Sequence, residues 1–300
     1  MSIHTVHADA PAYSRGLVWL RRDLRVHDHA ALCHALKSCA QVFVAFVLDR
    51  DILDPLPRQD RRVEFILAAL HEVDRDLRQL AQDQQLPHAD AVQLIVRYGS
   101  AAQELPQLAS QLGAQAVFCN HDYEPAAIAR DKQVRGALAN LGTLLHSFKD
   151  QVIFEGSELL APGGKPYSVF AAYQRRWLAG LAEDEAQLLP YPCAAHAQTL
   201  AAVPTALQRS IPQLQDIDFL PSNLEQLHIP TGSSGAAQML AHFLPHISHY
   251  AHDRNYPAQR GVSYLSVHLR FGTVSVRQMV QAAWPLAQQG DLGAKAWLAE

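Results

Sequence analysis

The chain has few of the features that mark secreted or membrane proteins. Its four cysteines form no Cys-x-x-Cys pair and no regular framework, so we expect free thiols in a reducing cytoplasm. No apolar run reaches the roughly 18 residues that a membrane-spanning helix needs. Residues 1–9 lack the basic start and the apolar core of a signal peptide. These absences predict a cytoplasmic protein with no membrane partner.

An excess of positive charge is also missing. There are 25 Lys and Arg residues against 29 Asp and Glu, which gives a formal net charge of −4. Binding to duplex DNA usually depends on clustered Lys and Arg that displace counterions from phosphates. The pairs Arg21-Arg22 and Arg175-Arg176 are too small to indicate a nucleic-acid surface, and we expect them to be solvated. Either DNA is not a partner, or the basic surface lies beyond residue 300.

A glycine-rich nucleotide fingerprint is the third absence. The first apolar run leads into Trp19-Leu-Arg-Arg-Asp-Leu-Arg-Val-His-Asp-His-Ala-Ala-Leu32, which contains no glycine. A conventional Rossmann oxidoreductase carries Gly-x-Gly-x-x-Gly at this place, so that class is disfavoured. The residues alone favour a solvated loop whose Arg–Asp pairs set the turn, followed by a helix that begins near Asp28.

What the chain does have is an alternation of strand and helix patterns. Five apolar runs of strand length occupy residues 16–20, 42–48, 91–96, 116–119 and 144–148. The runs are continuous rather than alternating, which is typical of parallel strands covered on both faces. Helical patterns separate them, the clearest over residues 61–82 and a later one that Pro125 opens. The alternation predicts a doubly wound α/β domain with a five-stranded parallel sheet over residues 14–150.

The second half of the chain changes character. Six prolines punctuate residues 181–234, which have little periodicity and close on Thr231-Gly-Ser-Ser-Gly235. We therefore assign residues 151–234 to a connector that crosses the first domain, and residues 235–300 to the beginning of an all-helical domain. Residues 294–300 resemble the first turns of an amphipathic helix without a closing signal. We expect the chain to be the front part of a longer protein, with Trp297 and Leu298 exposed.

Two polar groupings in the last third are candidate sites. Tyr250 and Arg254 are four residues apart and would share a helix face, and Gly261 would supply a turn before a helical run that contains Ser263 and Ser266. Hydroxyls and unpaired N–H groups at a helix start can bind a pyrophosphate, but serines cap helices routinely, and the residues alone favour capping.

Three histidines in the same region, His246, His249 and His252, recur every third residue. That spacing could present a zinc-binding face of a helix. With no paired Cys and no Glu-x-x-His element nearby, we predict no metal site.

Four segments, taken in order, resemble the photolyase/cryptochrome family, most closely a bacterial photolyase. The first is the loop from Trp19 to Leu32, and the second is Asn120-His-Asp-Tyr-Glu-Pro125. The third is Gly163-Gly-Lys-Pro-Tyr-Ser-Val-Phe-Ala-Ala-Tyr173, for which we expect a structural role with Val169, Phe170, Tyr173 and Trp177 packed inward. The fourth spans residues 250–272 with the pattern Tyr-x-x-x-Arg-x-x-Pro-x-x-x-Gly-x-Ser-x-Leu-Ser-x-x-Leu-x-x-Gly. The resemblance extends from Leu17 to Glu300.

The resemblance implies roles for individual residues. FAD would be held by Tyr250, Val262, Ser263, Tyr264, Leu265 and Ser266. Val262 departs from the family's usual Thr and removes one hydroxyl contact. Arg254 would face DNA. Residues 297–300 match the start of a Trp-x-x-Glu element, so Glu300 would contact the pyrimidine dimer and stabilise its anion as the catalytic residue.

The implied function is light-dependent repair of UV-damaged DNA, in which photoexcited reduced flavin passes an electron to a cyclobutane pyrimidine dimer. A cryptochrome-type blue-light photoreceptor is the first alternative, and a nucleotide-binding α/β module without light chemistry is the second. Much of the FAD cavity and of the DNA surface would lie past residue 300. We therefore expect a monomer that does not repair DNA as the 300-residue chain alone.

The resemblance also bears on a second, light-harvesting cofactor in the α/β domain. Members that use methenyl-folate contact it through an Asn-Glu pair shortly after the Tyr-Glu-Pro turn. Ala126 and Ala127 occupy those places here and offer neither donor nor acceptor. The expected antenna is a deazaflavin or a flavin rather than a folate, or the pocket is empty.

Overall fold

The computed structural model describes residues 10–300, so the leader formed by residues 1–9 lies outside the described residues. The first half of the chain forms one five-stranded sheet in the order β3-β2-β1-β4-β5. All four strand pairs are parallel. The strands are β1 (Tyr13–Leu20), β2 (Cys39–Asp49), β3 (Leu94–Gly99), β4 (Ala116–Asn120) and β5 (Leu144–Phe148). The doubly wound parallel sheet predicted from the sequence is confirmed.

Helices cover both faces of this sheet and explain why its strands read as continuous apolar runs. They are α1 (Ala30–Ser38), α2 (Arg50–Leu53), α3 (Arg61–Asp83), α4 (Ala101–Leu112) and α5 (Pro125–Asn140). In β1, Val18 and Leu20 join the core beneath α1 and α3. Leu17 and Trp19 join the core beneath α4 and α5. Because both faces of residues 16–20 are buried, neither alternate set of positions in this part of the strand is polar.

The third strand begins later than its apolar run predicted. Residues Ala89–Ala91 form a 3₁₀ turn, and the strand starts at Leu94. The N–H of Leu94 donates to the Asp74 carboxylate of α3 at 2.8 Å, which fixes where the strand enters the sheet. Ala89 and Val92 are buried although they lie in or beside the turn and not in the strand. The apolar run therefore begins before the strand does, and it predicted the strand start too early.

The segment after the sheet runs over the surface of the α/β region, as a connector would. After α6 (Phe170–Glu183) it continues mainly as short 3₁₀ turns. The N–H of Ala201 donates to the carbonyl of Val42 at 3.0 Å, and Leu200 pairs with Val42 of β2 just before β3 joins that strand. The prediction of inward packing fails for Val169 and Phe170, which are 60% and 65% exposed. Both stand at the first turn of α6, beyond the reach of the core that receives Trp177.

Five further helices form a separate core: α7 (Gly232–Phe243), α8 (Tyr250–Asp253), α9 (Ser266–Phe271), α10 (Val276–Gln288) and α11 (Leu292–Ala299). Helix α7 includes residues 232–234, which had been assigned to the connector from the sequence. Glu72 of α3 accounts for the early start, because its carboxylate accepts from the N–H of Ser234 at 2.6 Å and from the hydroxyl of Ser233 at 3.0 Å.

The end of the chain is packed rather than exposed. Trp297 is only 9% exposed, and its ring centroid lies 5.2 Å from that of Phe243. Leu298 is partly buried against the same core. The prediction that both side chains would lack a partner was wrong, because α7 supplies the partner from within the chain.

The loop between β1 and α1 is buried, which corrects the prediction of a solvated turn. Asp23, Arg25 and Asp28 are at most 7% exposed. Helix α1 starts at Ala30 rather than near Asp28, and the Ala30 N–H donates to Asp150 at 3.1 Å. Arg21 is also not solvated: its side chain is 7% exposed and lies 2.5 Å from Asp131.

This loop joins the two halves of the molecule through a buried ionic network. Asp150 accepts from Arg25 at 2.6 Å and from Arg277 of α10 at 2.7 Å, while Arg277 also donates to Asp28 at 2.8 Å. The neighbouring arginines hold the pKa of Asp150 well below its usual range even though burial opposes ionisation. Within residues 10–300 no helix combines the length and the apolarity needed to cross a membrane.

Candidate functional site

The candidate phosphate-binding segment, residues 261–268, links α8 to α9. Leu265 is 1% exposed and anchors the segment in the helical core. Gly261 lies so close to α8 that a Cβ atom at that position would stand 2.3 Å from the Cβ of Asp253. Tyr264 has a positive φ of 53° and is half exposed. The segment is therefore anchored at Gly261 and Leu265, while Tyr264 and Ser266 on either side of Leu265 are exposed.

The segment carries a series of unused hydrogen-bond donors. Among the described residues, no acceptor receives a hydrogen bond from the backbone N–H groups of residues 262–268. Helix α9 starts at Ser266, and no side chain caps it, so the prediction that Ser263 or Ser266 caps the helix was wrong. Consecutive free N–H groups beside hydroxyls suit an anion such as a phosphate.

Ser263 has one partner that the sequence did not indicate. The indole Nε1 of Trp297 donates to its Oγ at 3.3 Å. The indole is a donor only, so the hydroxyl hydrogen of Ser263 remains free to point at a bound oxygen. Nothing in the spacing of residues 263 and 297 signals this contact, because it depends on how α11 packs.

Tyr250, Arg254 and Glu300 come together as a second group at the same end of the helical region. Tyr250 is 8% exposed, and the Arg254 guanidinium lies 5.5 Å from the centre of its ring. Arg254 Nη1 is 2.5 Å from Glu300 Oε1. Burial raises the pKa of the Tyr250 hydroxyl. The predicted DNA-facing arginine and the predicted catalytic carboxylate thus form an ion pair.

His268 is a buried polar residue that the sequence did not single out. It is fully buried, its Nδ1 hydrogen-bonds to the Thr273 hydroxyl at 2.7 Å, and its Nε2 lies 3.2 Å from the Met239 sulfur. Burial lowers its pKa to about 4. The ring stays neutral near pH 7 and, as the last residue of the phosphate-binding segment, fixes α9 against Thr273 and Met239.

The second segment that resembles the family, residues 120–125, lies at the carboxyl edge of the sheet. Asn120 is buried, where its amide donates to Asp23 at 2.7 Å and accepts from the Ala31 N–H at 2.9 Å. Its role is therefore structural. Ala126 is exposed and Ala127 is buried. Beside the turn is an open cavity of about 460 Å³ between β4, β5 and α5.

Comparisons with known proteins agree with this architecture. Residues 16–193 match the family described as DNA photolyase. The chain is 32% identical over 276 residues to the deoxyribodipyrimidine photo-lyase of Synechococcus sp. (ATCC 27144), covering 89% of this chain and 53% of that protein. It is 31% identical over 275 residues to an uncharacterized 31.6 kDa protein of Synechococcus sp. (PCC 6716), covering 91% of this chain and 90% of that protein.

A solved structure supports the same fold. The class III photolyase from Agrobacterium tumefaciens has a TM-score of 0.75 and 22% identity, over 98% of this chain and 58% of that one. The chain thus spans about half the length of the photo-lyases that it matches. On the match over residues 16–193, which is more than half of its length, this chain belongs to the DNA photolyase family.

Proposed function

We propose that this chain supplies the α/β domain, the connector and the flavin-phosphate segment of a light-dependent enzyme that repairs cyclobutane pyrimidine dimers in UV-damaged DNA. The observation that carries the proposal is the segment at residues 261–268, where backbone N–H groups with no partner among the described residues lie beside the hydroxyls of Ser263 and Ser266. In keeping with the sequence, we propose a cytoplasmic monomer. Its parts are the α/β domain at residues 14–150, the connector at residues 151–234 and the beginning of the helical FAD-binding domain at residues 235–300.

The residues of the segment fit the pyrophosphate of FAD. Ser263 and Ser266 would donate their hydroxyls, and the N–H groups between Val262 and Ser266 would surround the phosphate oxygens. Leu265 and Tyr250 are buried and would hold the segment and the adjacent wall rigid. FAD, when bound and reduced, would supply the light-absorbing electron donor. The part played by this chain is binding and orientation.

Arg254 and Glu300 would serve the DNA side of the site. Their ion pair is solvent-accessible, with side chains 32% and 52% exposed, and exposed pairs of this kind contribute little to stability because water and salt screen them. A DNA phosphate can therefore displace Glu300 from Arg254 at little cost. The released Glu300 carboxyl would then be available to hydrogen-bond the flipped-out dimer.

The test is a repair assay with a chimaera. The 300 residues would be joined to the part of the Synechococcus photo-lyase that follows the matching position, loaded with FAD, reduced and illuminated with dimer-containing DNA. We expect light-dependent loss of dimers, which falls strongly in Glu300→Gln and in the Ser263→Ala/Ser266→Ala double variant. A folded, flavin-loaded chimaera that shows no light-dependent repair would contradict the proposal, and a photoreceptor role would then be the better explanation.

We further propose a deazaflavin or flavin antenna rather than methenyl-folate. Ala126 and Ala127 present only methyl groups after the turn at the sheet edge, and Ala127 is 7% exposed. A folate would find no side-chain hydrogen-bond partner at either position. Titration with methenyl-folate should give no saturable binding, and tight one-to-one binding lost in a variant of this turn would refute the assignment.

A further inference from the structure

We propose that Ser147, His121 and Glu155 form a nucleophilic serine site that reacts with small activated acyl esters. The three side chains lie on the wall of the 460 Å³ cavity at the carboxyl edge of the sheet. This activity is separate from light-dependent repair, since none of the three residues belongs to the flavin-phosphate segment. The reaction needs no cofactor.

The backbone places the serine and the histidine side by side. Ser147 lies in β5 opposite Cys119 of β4. His121 follows the end of β4, where its N–H donates to the carbonyl of Phe148 at 2.7 Å and extends the ladder by one bond. His121 Nε2 is then 3.1 Å from Ser147 Oγ, within hydrogen-bond reach of a general base.

The third group orients the histidine. His121 Nδ1 is hydrogen-bonded to Glu155 Oε1, and the Tyr123 hydroxyl donates to the same oxygen at 2.7 Å. Burial opposes ionisation of Glu155, but the bonds from His121 and Tyr123 hold its pKa below the usual range. An ionised carboxylate only accepts, so Nδ1 donates to Glu155, and in the neutral ring Nε2 is then the acceptor for the Ser147 hydroxyl. Serine, histidine and acid are connected in the order that activates a serine nucleophile.

The cavity offers the remaining requirements of acyl transfer. The backbone N–H groups of Gly156 and Ser157, two exposed residues at its wall, donate to no backbone acceptor within residues 10–300 and would be the donors to a developing oxyanion. Ile128 is 55% exposed at the opening and Leu145 is buried behind it, which suits a short apolar acyl group. The predicted substrate class is therefore a small ester with a good leaving group.

The reaction balances with water as the only co-reactant. The Ser147 oxygen bonds to the ester carbonyl carbon while its proton passes to His121 Nε2, and the carbonyl carbon then releases the alcohol, which takes that proton. Water attacks the acyl-serine by the same route, with His121 again accepting and returning a proton. The products are the free acid and the alcohol, and Ser147 is regenerated.

The experiment uses a fluorophosphonate probe, which bonds covalently to activated serines, and p-nitrophenyl acetate as the ester. We expect one probe per chain, mapped to Ser147 by peptide mass spectrometry of the wild-type protein. A positioned general base contributes about 10²–10⁴-fold, so His121→Gln should slow both labelling and ester hydrolysis by at least about a hundredfold. Glu155→Gln should act in the same direction with a smaller loss.

Matched controls separate this chemistry from general damage to the fold. His146→Gln changes the neighbouring histidine of β5, which instead pairs with the Tyr13 hydroxyl, and Ser110→Ala changes an exposed serine of α4. Both controls should keep the wild-type labelling rate, and circular dichroism should show all variants folded. Labelling at another residue, no labelling of the folded wild type, or an unchanged rate in His121→Gln would each overturn the proposal.

Discussion

Replacing Arg277 tests how strongly the buried ionic network holds the helical region to the α/β region. Arg277 is 4% exposed and donates to both Asp28 and Asp150 at 2.8 and 2.7 Å. Removing one partner of a buried ion pair costs about 3–5 kcal/mol. Asp150 would keep Arg25, but Asp28 would lose the only arginine that pairs with its carboxylate among the described residues. We therefore expect Arg277→Gln to lower the free energy of unfolding by about 3 kcal/mol.

Urea unfolding followed by circular dichroism measures this loss. Arg176→Gln is the control, because its pair with Glu183 is accessible to solvent and should contribute less than about 1 kcal/mol. Adding Asp28→Asn to Arg277→Gln removes the orphaned charge, and asparagine tolerates the positive φ of 43° at that position. The double variant should regain part of the lost stability. A loss below 1 kcal/mol in Arg277→Gln, or strictly additive effects, would refute the reasoning.

Three other changes probe the helical region. Because the pKa of His268 is depressed, the buried neutral ring contributes fully to stability above about pH 6.5, and about 3 kcal/mol of the free energy of unfolding is lost as the pH falls toward 4. NMR should therefore show no ring protonation above pH 5. A titration midpoint near 6.5 would contradict this. Gly272→Ala should lower the free energy of unfolding by more than about 1–2 kcal/mol, because φ is +61° and the new Cβ would stand 2.1 Å from the Arg22 carbonyl oxygen. An unchanged denaturant midpoint of unfolding would count against this expectation. Trp297→Ala should lower the free energy of unfolding by about 3–5 kcal/mol, since it leaves a cavity beside Phe243. A loss below 1 kcal/mol would mean that the end of the chain is not packed.

The sheet could be predicted because burial on both faces leaves a signature in the sequence. Every position of residues 16–20 is apolar or glycine, and the structure divides them between two cores. Helix α3 was predicted within one residue of its end, since its apolar residues recur every three or four positions. Local pattern and tertiary structure agree at these places.

The buried loop after β1 could not be predicted, because its partners are distant in the chain. Asp28 and Arg277 are 249 residues apart. The sequence alone does not reveal whether a charged side chain will be solvated by water or paired with another side chain. The same holds for Gly232, where Glu72 stabilises a helix start that local propensity disfavours. The site residues were identified by resemblance to a family, while their contact through Trp297 came only from packing.

The central claim is that residues 261–268 bind the phosphates of FAD, and equilibrium dialysis with FAD and riboflavin tests it most directly. Each hydroxyl bond to an ionised phosphate should contribute about 1.5–3 kcal/mol. In the chimaera, which completes the FAD cavity, Ser263→Ala/Ser266→Ala should therefore weaken FAD binding by more than about a hundredfold and leave the binding of riboflavin, which has no phosphate, unchanged. Equal binding of FAD by the wild-type and double-variant proteins, or no preference of the wild type for FAD over riboflavin, would contradict the account.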